Sequence, residues 1–198
     1  MSKVLSMKSS ELSEHYQKNK KIISQRLNEF AVLRNEKETF RELCFCLLAA
    51  NTSSHMASRV MEQVGDVIFT GNEEEIMERL HTLRCRFYKT RAHYISLAQN
   101  VPLTFDRNYL VEHIKGFGYK ESSHFLRNMG HKGHAILDKH ILRSLAEFGV
   151  IPEVPKSLNK KRYLEIEATM KQWSEKIGIP MDELDLVLWS RKTGEILK

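Results

Sequence analysis

Two glycines one residue apart, Gly116 and Gly118, lie between two stretches of helical pattern, and Lys120 follows two residues after the second. Asp138 comes 18 residues later, heading Lys-His-Ile. Glycine takes positive φ readily and lets other groups approach its backbone. A helix that starts directly after such a turn leaves its first N–H groups pointing outward at the positive end of its dipole. That arrangement receives anions such as phosphate. A lysine amine is a nucleophile once it has lost its proton, and a carboxylate stabilises positive charge that develops beside it. Singly, each feature is commonplace: a helix-to-helix turn also needs glycine, aspartate is a frequent N-cap, and most lysines are solvated. Their joint spacing is what points to chemistry.

Helices are the elements that must hold these residues. Apolar positions recur at helical spacing through residues 10–29, 38–50, 73–81, 87–99, 107–114, 119–129, 139–148, 160–177 and 182–192. The polar run Asn51-Thr-Ser-Ser54 is expected to cap a further helix reaching about Val64, and Asp106, Asp138 and Asp182 to cap theirs. Ile114 and Phe117 would anchor the glycine turn between its helices. No strand pattern is sustained, so the expected fold is all-α with about ten helices. Nine glycines and four prolines in 198 residues are too few for a β protein that turns every ten or so residues.

Composition narrows the classes further. With 41% hydrophobic and 28% charged residues, the chain is not a disordered charged tail. The longest apolar run, Leu43 to Ala50, is far short of the roughly 20 residues of a membrane span. The first ten residues lack the apolar core of a signal peptide, which makes the cytoplasm the expected compartment. Cys44, Cys46 and Cys85 are an odd set without framework spacing and are expected in the core. His124, His131, His134 and His140 fit no zinc spacing, so no metal site is expected, and His140 reads as a structural hydrogen-bonding group. Glu73, Glu74 and Glu75 read as the negative first turn of a helix. The net charge of +6 permits nucleic-acid binding and becomes evidence only where basic residues gather. Lys115, Lys120, Arg127, Lys132 and Lys139 do so around the hairpin.

From Ile114 to Ile141 the sequence resembles the helix-hairpin-helix DNA glycosylase superfamily, whose hairpin is followed by a catalytic lysine and then a catalytic aspartate. Gly118-Tyr-Lys-Glu-Ser-Ser-His-Phe-Leu-Arg-Asn128 and Ile136-Leu-Asp-Lys-His-Ile141 are similar to the second family of 8-oxoguanine DNA glycosylase/AP lyases. So are Leu47-Leu-Ala-Ala-Asn-Thr-Ser-Ser54 and the ending from Asp185 to Lys198. The resemblance spans about residues 30–198.

It implies two helical domains with the active site in the cleft between them. Residues 30–132 would end in the helix-hairpin-helix. Residues 1–29 plus 133–198 would carry the catalytic Asp and a C-terminal base-recognition tail. The implied activity is a bifunctional DNA repair enzyme that flips 8-oxoguanine out of double-stranded DNA and excises it with Lys120. It then nicks the abasic strand through a Schiff base and β-elimination. Asp138 would stay ionised and face the sugar cation. Gly116, Gly118, Lys115 and Lys139 would hold DNA phosphates. Asn51 occupies the place of the strand-inserting loop, with plain helix capping as the other reading. Trp189 would offer a face to the flipped base, and Phe87 or Tyr88 another, with core packing as their alternative. Lys198, through its terminal carboxylate, would accept the N7–H that 8-oxoguanine has where guanine has an acceptor. Relatives with an iron–sulfur cluster use four closely spaced C-terminal cysteines; none follows Cys85 here, so no cluster is expected. A monovalent cation on the hairpin carbonyls when DNA is bound is also implied. The partner would be DNA containing 8-oxoguanine or abasic sites, and the enzyme a nucleoid-associated monomer. Two further readings are a helix-hairpin-helix glycosylase for another damaged base and a non-catalytic DNA-binding module.

Overall fold

The computed structural model describes residues 2–196, with side chains from Ser10 onward. Among these residues there are eleven helices and no strand. They are α1 (Ser2–Phe30), α2 (Glu36–Ala49), α3 (Ser54–Gln63), α4 (Val67–Thr70), α5 (Glu73–Thr82), α6 (Tyr88–Ala98), α7 (Arg107–His113), α8 (Tyr119–Asn128), α9 (Lys139–Glu147), α10 (Lys160–Ile177) and α11 (Met181–Thr193). Helix α4 was not expected, because a single turn is too short to show a period. The chain divides into two compact units, Val32–Met129 and the remainder on either side of it.

In the unit Val32–Met129, local chemistry starts the helices. Asn35 and Asn72 each make a capping box: their side chains accept from the amides of Glu38 and Glu75 at 2.9 and 3.0 Å, and those glutamates accept from the asparagine amides in return. Helix α2 is central, with Leu43, Cys44, Phe45, Cys46, Leu47 and Leu48 all buried, and packs on α3, α6 and α8. Cys85 is buried as well, and burial pushes the Cys44 thiol well above its usual range. Helix α8 buries Phe125 and Leu126 completely. Its far end is pinned by polar groups: Asn128 donates to Glu42 of α2 at 2.7 Å, accepts from Arg127, and receives Arg34 on its carbonyl.

In the other unit, α1 lays Leu12, Tyr16 and Ile23 against α11. Tyr16 donates to Glu183 at 2.8 Å; burial and that bond push its phenol up to about 12. Asp182 does not cap α11 as expected. The helix starts at Pro180 without a side-chain cap, and Asp182 instead accepts from the Gly133 amide at 3.0 Å. Glu147 ties α9 to α11, accepting from Arg191 and Lys192 at 2.7 Å each. The Arg191 hydrogen bond, helped by Lys192 and opposed by burial, brings the Glu147 carboxyl down to about 2. A depressed carboxyl contributes stability that is present above its unfolded value of 4.5 and lost as pH falls toward 2. Glu147→Gln is expected to lower unfolding free energy at pH 7 by on the order of 1 kcal/mol. Urea melts over a pH series should show that difference shrinking below the unfolded value and vanishing as the folded one is crossed.

Candidate active site

The hairpin is built from apolar anchors and one glycine at positive φ. Ile114 and Phe117 are buried, and the Ile114 carbonyl accepts from the Phe117 amide at 3.0 Å. Gly116 sits at φ +93°, and a Cβ there would run into the Tyr94 ring, 2.7 Å from Cε2. Gly118 does not use that freedom. At φ −106°, ψ −170° it is extended backbone serving as the N-cap of α8, and an added Cβ would meet Glu121 Oε2 at 3.4 Å. Positive φ is needed at one glycine of the pair, not both.

Lys120 follows in the first turn of α8. Its Nζ lies 2.9 Å from Glu121 Oε1, with both side chains partly buried. The other Glu121 oxygen accepts from the Gly118 amide at 3.3 Å. Lys115 is exposed at the hairpin tip. Arg127 is not part of a solvent-facing basic cluster: it is buried and bonded to Asn128.

In the same unit, Asn51 turns the chain between α2 and α3 at φ +56° and is exposed. It does not cap α3. That task falls to Ser53, whose hydroxyl accepts from the Met56 amide. Buried Arg91 clasps the corner on both sides of Asn51, donating to the Ala50 carbonyl at 2.7 Å and the Thr52 hydroxyl at 3.3 Å. The same guanidinium donates to Cys85 Sγ at 3.2 Å and lies 5.7 Å from the Phe87 ring centroid. Phe87 is not a core residue: it is 54% exposed, at φ +56°, with Arg86 also over its ring. Arg84, at φ +54°, is the third non-glycine residue in the left-handed region among those described. Each such residue costs of order 1–3 kcal/mol, so the surrounding structure has to hold it. Sequence reading missed Arg91 and this strain, because residue type signals neither. Tyr88 is partly buried and lies against His81, ring centroids 4.6 Å apart.

Asp138 belongs to the other unit, at the start of α9. The segment leading to it is strapped by later helices. The Tyr163 hydroxyl donates to the Ala135 carbonyl at 2.6 Å and accepts from the Leu137 amide, while Glu167 accepts from the Ala135 amide. Asp138 Oδ1 then accepts from the amides of His140 and Ile141 at 2.7 and 2.8 Å. Three bonds thus brace the segment and two more hold the carboxylate at the positive end of a helix, where its charge is favoured. Trp189 of α11 meets His140 edge to face, ring centroids 5.1 Å apart. Asp138, His140 and Trp189 are therefore gathered in one place. Lys139 is exposed beside them. Lys198 lies outside the described residues. Among the described residues no three His, Cys, Asp or Glu side chains gather as metal ligands, and no helix is long and apolar enough to cross a membrane.

The contrast between the glycines is measurable. Gly116→Ala combines a strained φ with a clash on Tyr94 and should destabilise by roughly 1–3 kcal/mol. Gly118→Ala should be nearly neutral. Thermal melts of the two variants check this, at about 2–4 °C per kcal/mol for a chain of this size.

A family model described as Ogg-HhH, 8-oxoguanine DNA glycosylase, matches residues 23–179. The 8-oxoguanine DNA glycosylase/AP lyase of Methanocaldococcus jannaschii is 41% identical, over 99% of this chain and 98% of that protein. The protein of the same name from Fusobacterium nucleatum is 36% identical, over 95% and 93%. Solved structures agree. The M. jannaschii 8-oxoguanine glycosylase/lyase in complex with a 15mer DNA containing 8-oxoguanine superposes with a TM-score of 0.90 at 40% identity, covering 97% of this chain and 100% of that one. The 8-oxoguanine DNA glycosylase of Thermotoga maritima gives 0.90 at 34% identity, covering 98% and 100%. With its all-helical fold, its glycine hairpin and a lysine heading the helix behind it, this chain belongs to the helix-hairpin-helix family of 8-oxoguanine DNA glycosylases.

Proposed function

We propose that the protein is a bifunctional DNA repair enzyme that excises 8-oxoguanine and cleaves the resulting abasic strand. The observation that carries this reading is Lys120, held partly buried in the first turn of α8 directly behind the hairpin. Its neutral amine attacks C1′ of the damaged nucleotide, and the C1′–N bond breaks with its electron pair leaving on the base. The resulting Schiff base permits β-elimination of the 3′ phosphate. Asp138, already fixed by two helix amides, faces the developing sugar cation and lowers its energy. The hairpin amides, with Gly116, Gly118, Lys115 and Lys139, take the phosphates.

Flipping a base out of the stack costs a few kcal/mol and leaves a gap. Asn51, exposed on a clasped corner, enters that gap in this reading. Exposed Phe87 and half-buried Trp189 supply aromatic faces. The carboxylate of Lys198 accepts N7–H of the lesion and selects it over guanine. The unit containing Asp138 also carries this tail. A lysine and a carboxylate suffice for both bond-breaking steps, so no prosthetic group is needed. Carbonyls of the hairpin would hold a monovalent cation, which would supply positive charge for a phosphate; Lys115 and Gly116, exposed at the tip, leave the backbone open to one. The enzyme works as a monomer on chromosomal DNA in the cytoplasm.

Borohydride trapping on duplexes carrying 8-oxoguanine, thymine glycol or an abasic site tests this directly. A covalent adduct is expected with 8-oxoguanine and abasic DNA, and none with Lys120→Gln. No adduct with the wild type would point to a binding module without catalysis, and preferential trapping on thymine glycol to a different lesion. Asp138→Asn keeps an oxygen for the helix amides, so folding and DNA affinity should hold. Its single-turnover excision should fall by about 10²-fold or more.

A further inference from the structure

Neighbouring residues on a helix point about 100° apart and do not normally meet. Lys120 and Glu121 do, at 2.9 Å, with side chains only 28% and 16% exposed. The contact arises because Glu121 folds back toward the hairpin. Its Oε2 accepts from the Gly118 amide at 3.3 Å, the ordinary task of a glutamate in the first turn. That task needs one oxygen. The other, Oε1, is held against Nζ. An ammonium has no lone pair, so before Lys120 can attack carbon its proton must pass to an acceptor touching Nζ. Glu121 is the carboxylate Nζ meets.

We propose that Glu121 is a catalytic base for Lys120; this rests on the reading of Lys120 as nucleophile given above. One Nζ–H proton passes to Oε1, leaving a carboxylic acid and a neutral amine. The freed lone pair bonds to C1′ as the C1′–N9 bond breaks. The nucleobase leaves with that electron pair and takes a proton from water. In open solvent two charges are the favoured form of such a pair. Taking both out of water is costly, so DNA closing over this half-buried pair favours the neutral amine and acid. The Gly118 amide keeps the carboxyl group in place throughout, since it bonds the oxygen that does not take the proton.

Glu121→Gln separates the two tasks. Its amide oxygen still accepts from Gly118 but cannot take a proton from an ammonium. The expected result is unchanged melting and DNA affinity, with single-turnover excision and adduct formation slowed by about 10²-fold. Excision at the wild-type rate would overturn the proposal and leave Glu121 as a hairpin clip. Glu121→Ala gives a second handle. Formate, a carboxylate small enough for the vacated space, should restore its rate, and formamide, which offers an acceptor but no base, should not. Equal rescue by both would also overturn the proposal. Lys120→Gln keeps the two ideas apart. If that variant still excises, the lysine reading itself fails; if it is dead while Glu121→Gln is fully active, only the assignment of Glu121 fails.

Discussion

A single buried amide sets the direction in which α8 presents its first turn. Asn128 lies fully buried at the far end of that helix and reaches Glu42 of α2, while Arg127 and Arg34 converge on its oxygens. Apolar packing of Phe125 and Leu126 alone would tolerate some rotation of the helix about its axis. A directional bond between a buried amide and a buried carboxylate does not, because any other rotation leaves polar groups without partners in a low-dielectric interior. Such networks add little net stability and much uniqueness. Here the uniqueness is spent at the opposite end of the helix, where Lys120 and Glu121 emerge beside the hairpin.

The two units solve one problem differently. Around Asn51 the backbone is strained and then over-held: Asn51 between the two ends of the Arg91 clasp, Phe87 between guanidinium groups, both at positive φ. Around Asp138 there is no such strain. An unexceptional segment is strapped by hydroxyl and carboxylate groups from α10 and α11, and the carboxylate is then fixed by helix amides. Asn51 and Phe87 sit on forced turns, whereas Asp138 sits on an ordinary cap.

Much of this was readable beforehand, for local reasons. Helix starts at Asp106 and Asp138 follow from side chains two or three residues away from the amides they satisfy, so the signal is short-range. The hairpin and its lysine were legible because glycine, apolar anchors and helix start fall within seven residues. What escaped was set by distance. Asp182 looked like a cap and is instead a partner for Gly133, 49 residues earlier. Arg127 was counted with the basic residues around the hairpin and is buried. Arg91 carried no local signal, yet it holds the corner at Asn51. The second glycine of the pair could have taken positive φ, and its extended conformation shows that N-capping, not backbone freedom, determines its role.

The pairing of α1 with α11 carries a consequence for biosynthesis. Helix α1 buries Leu12, Tyr16 and Ile23 against a helix that begins at Met181. At a translation rate of about 5–20 residues per second, that apolar face waits on the order of ten seconds for its partner. Val32–Met129, continuous in sequence, leaves the ribosome meanwhile and has its whole core at hand. Val32–Met129 can therefore fold while the rest of the other unit is still being made, and α1 finds its partner only when α11 arrives.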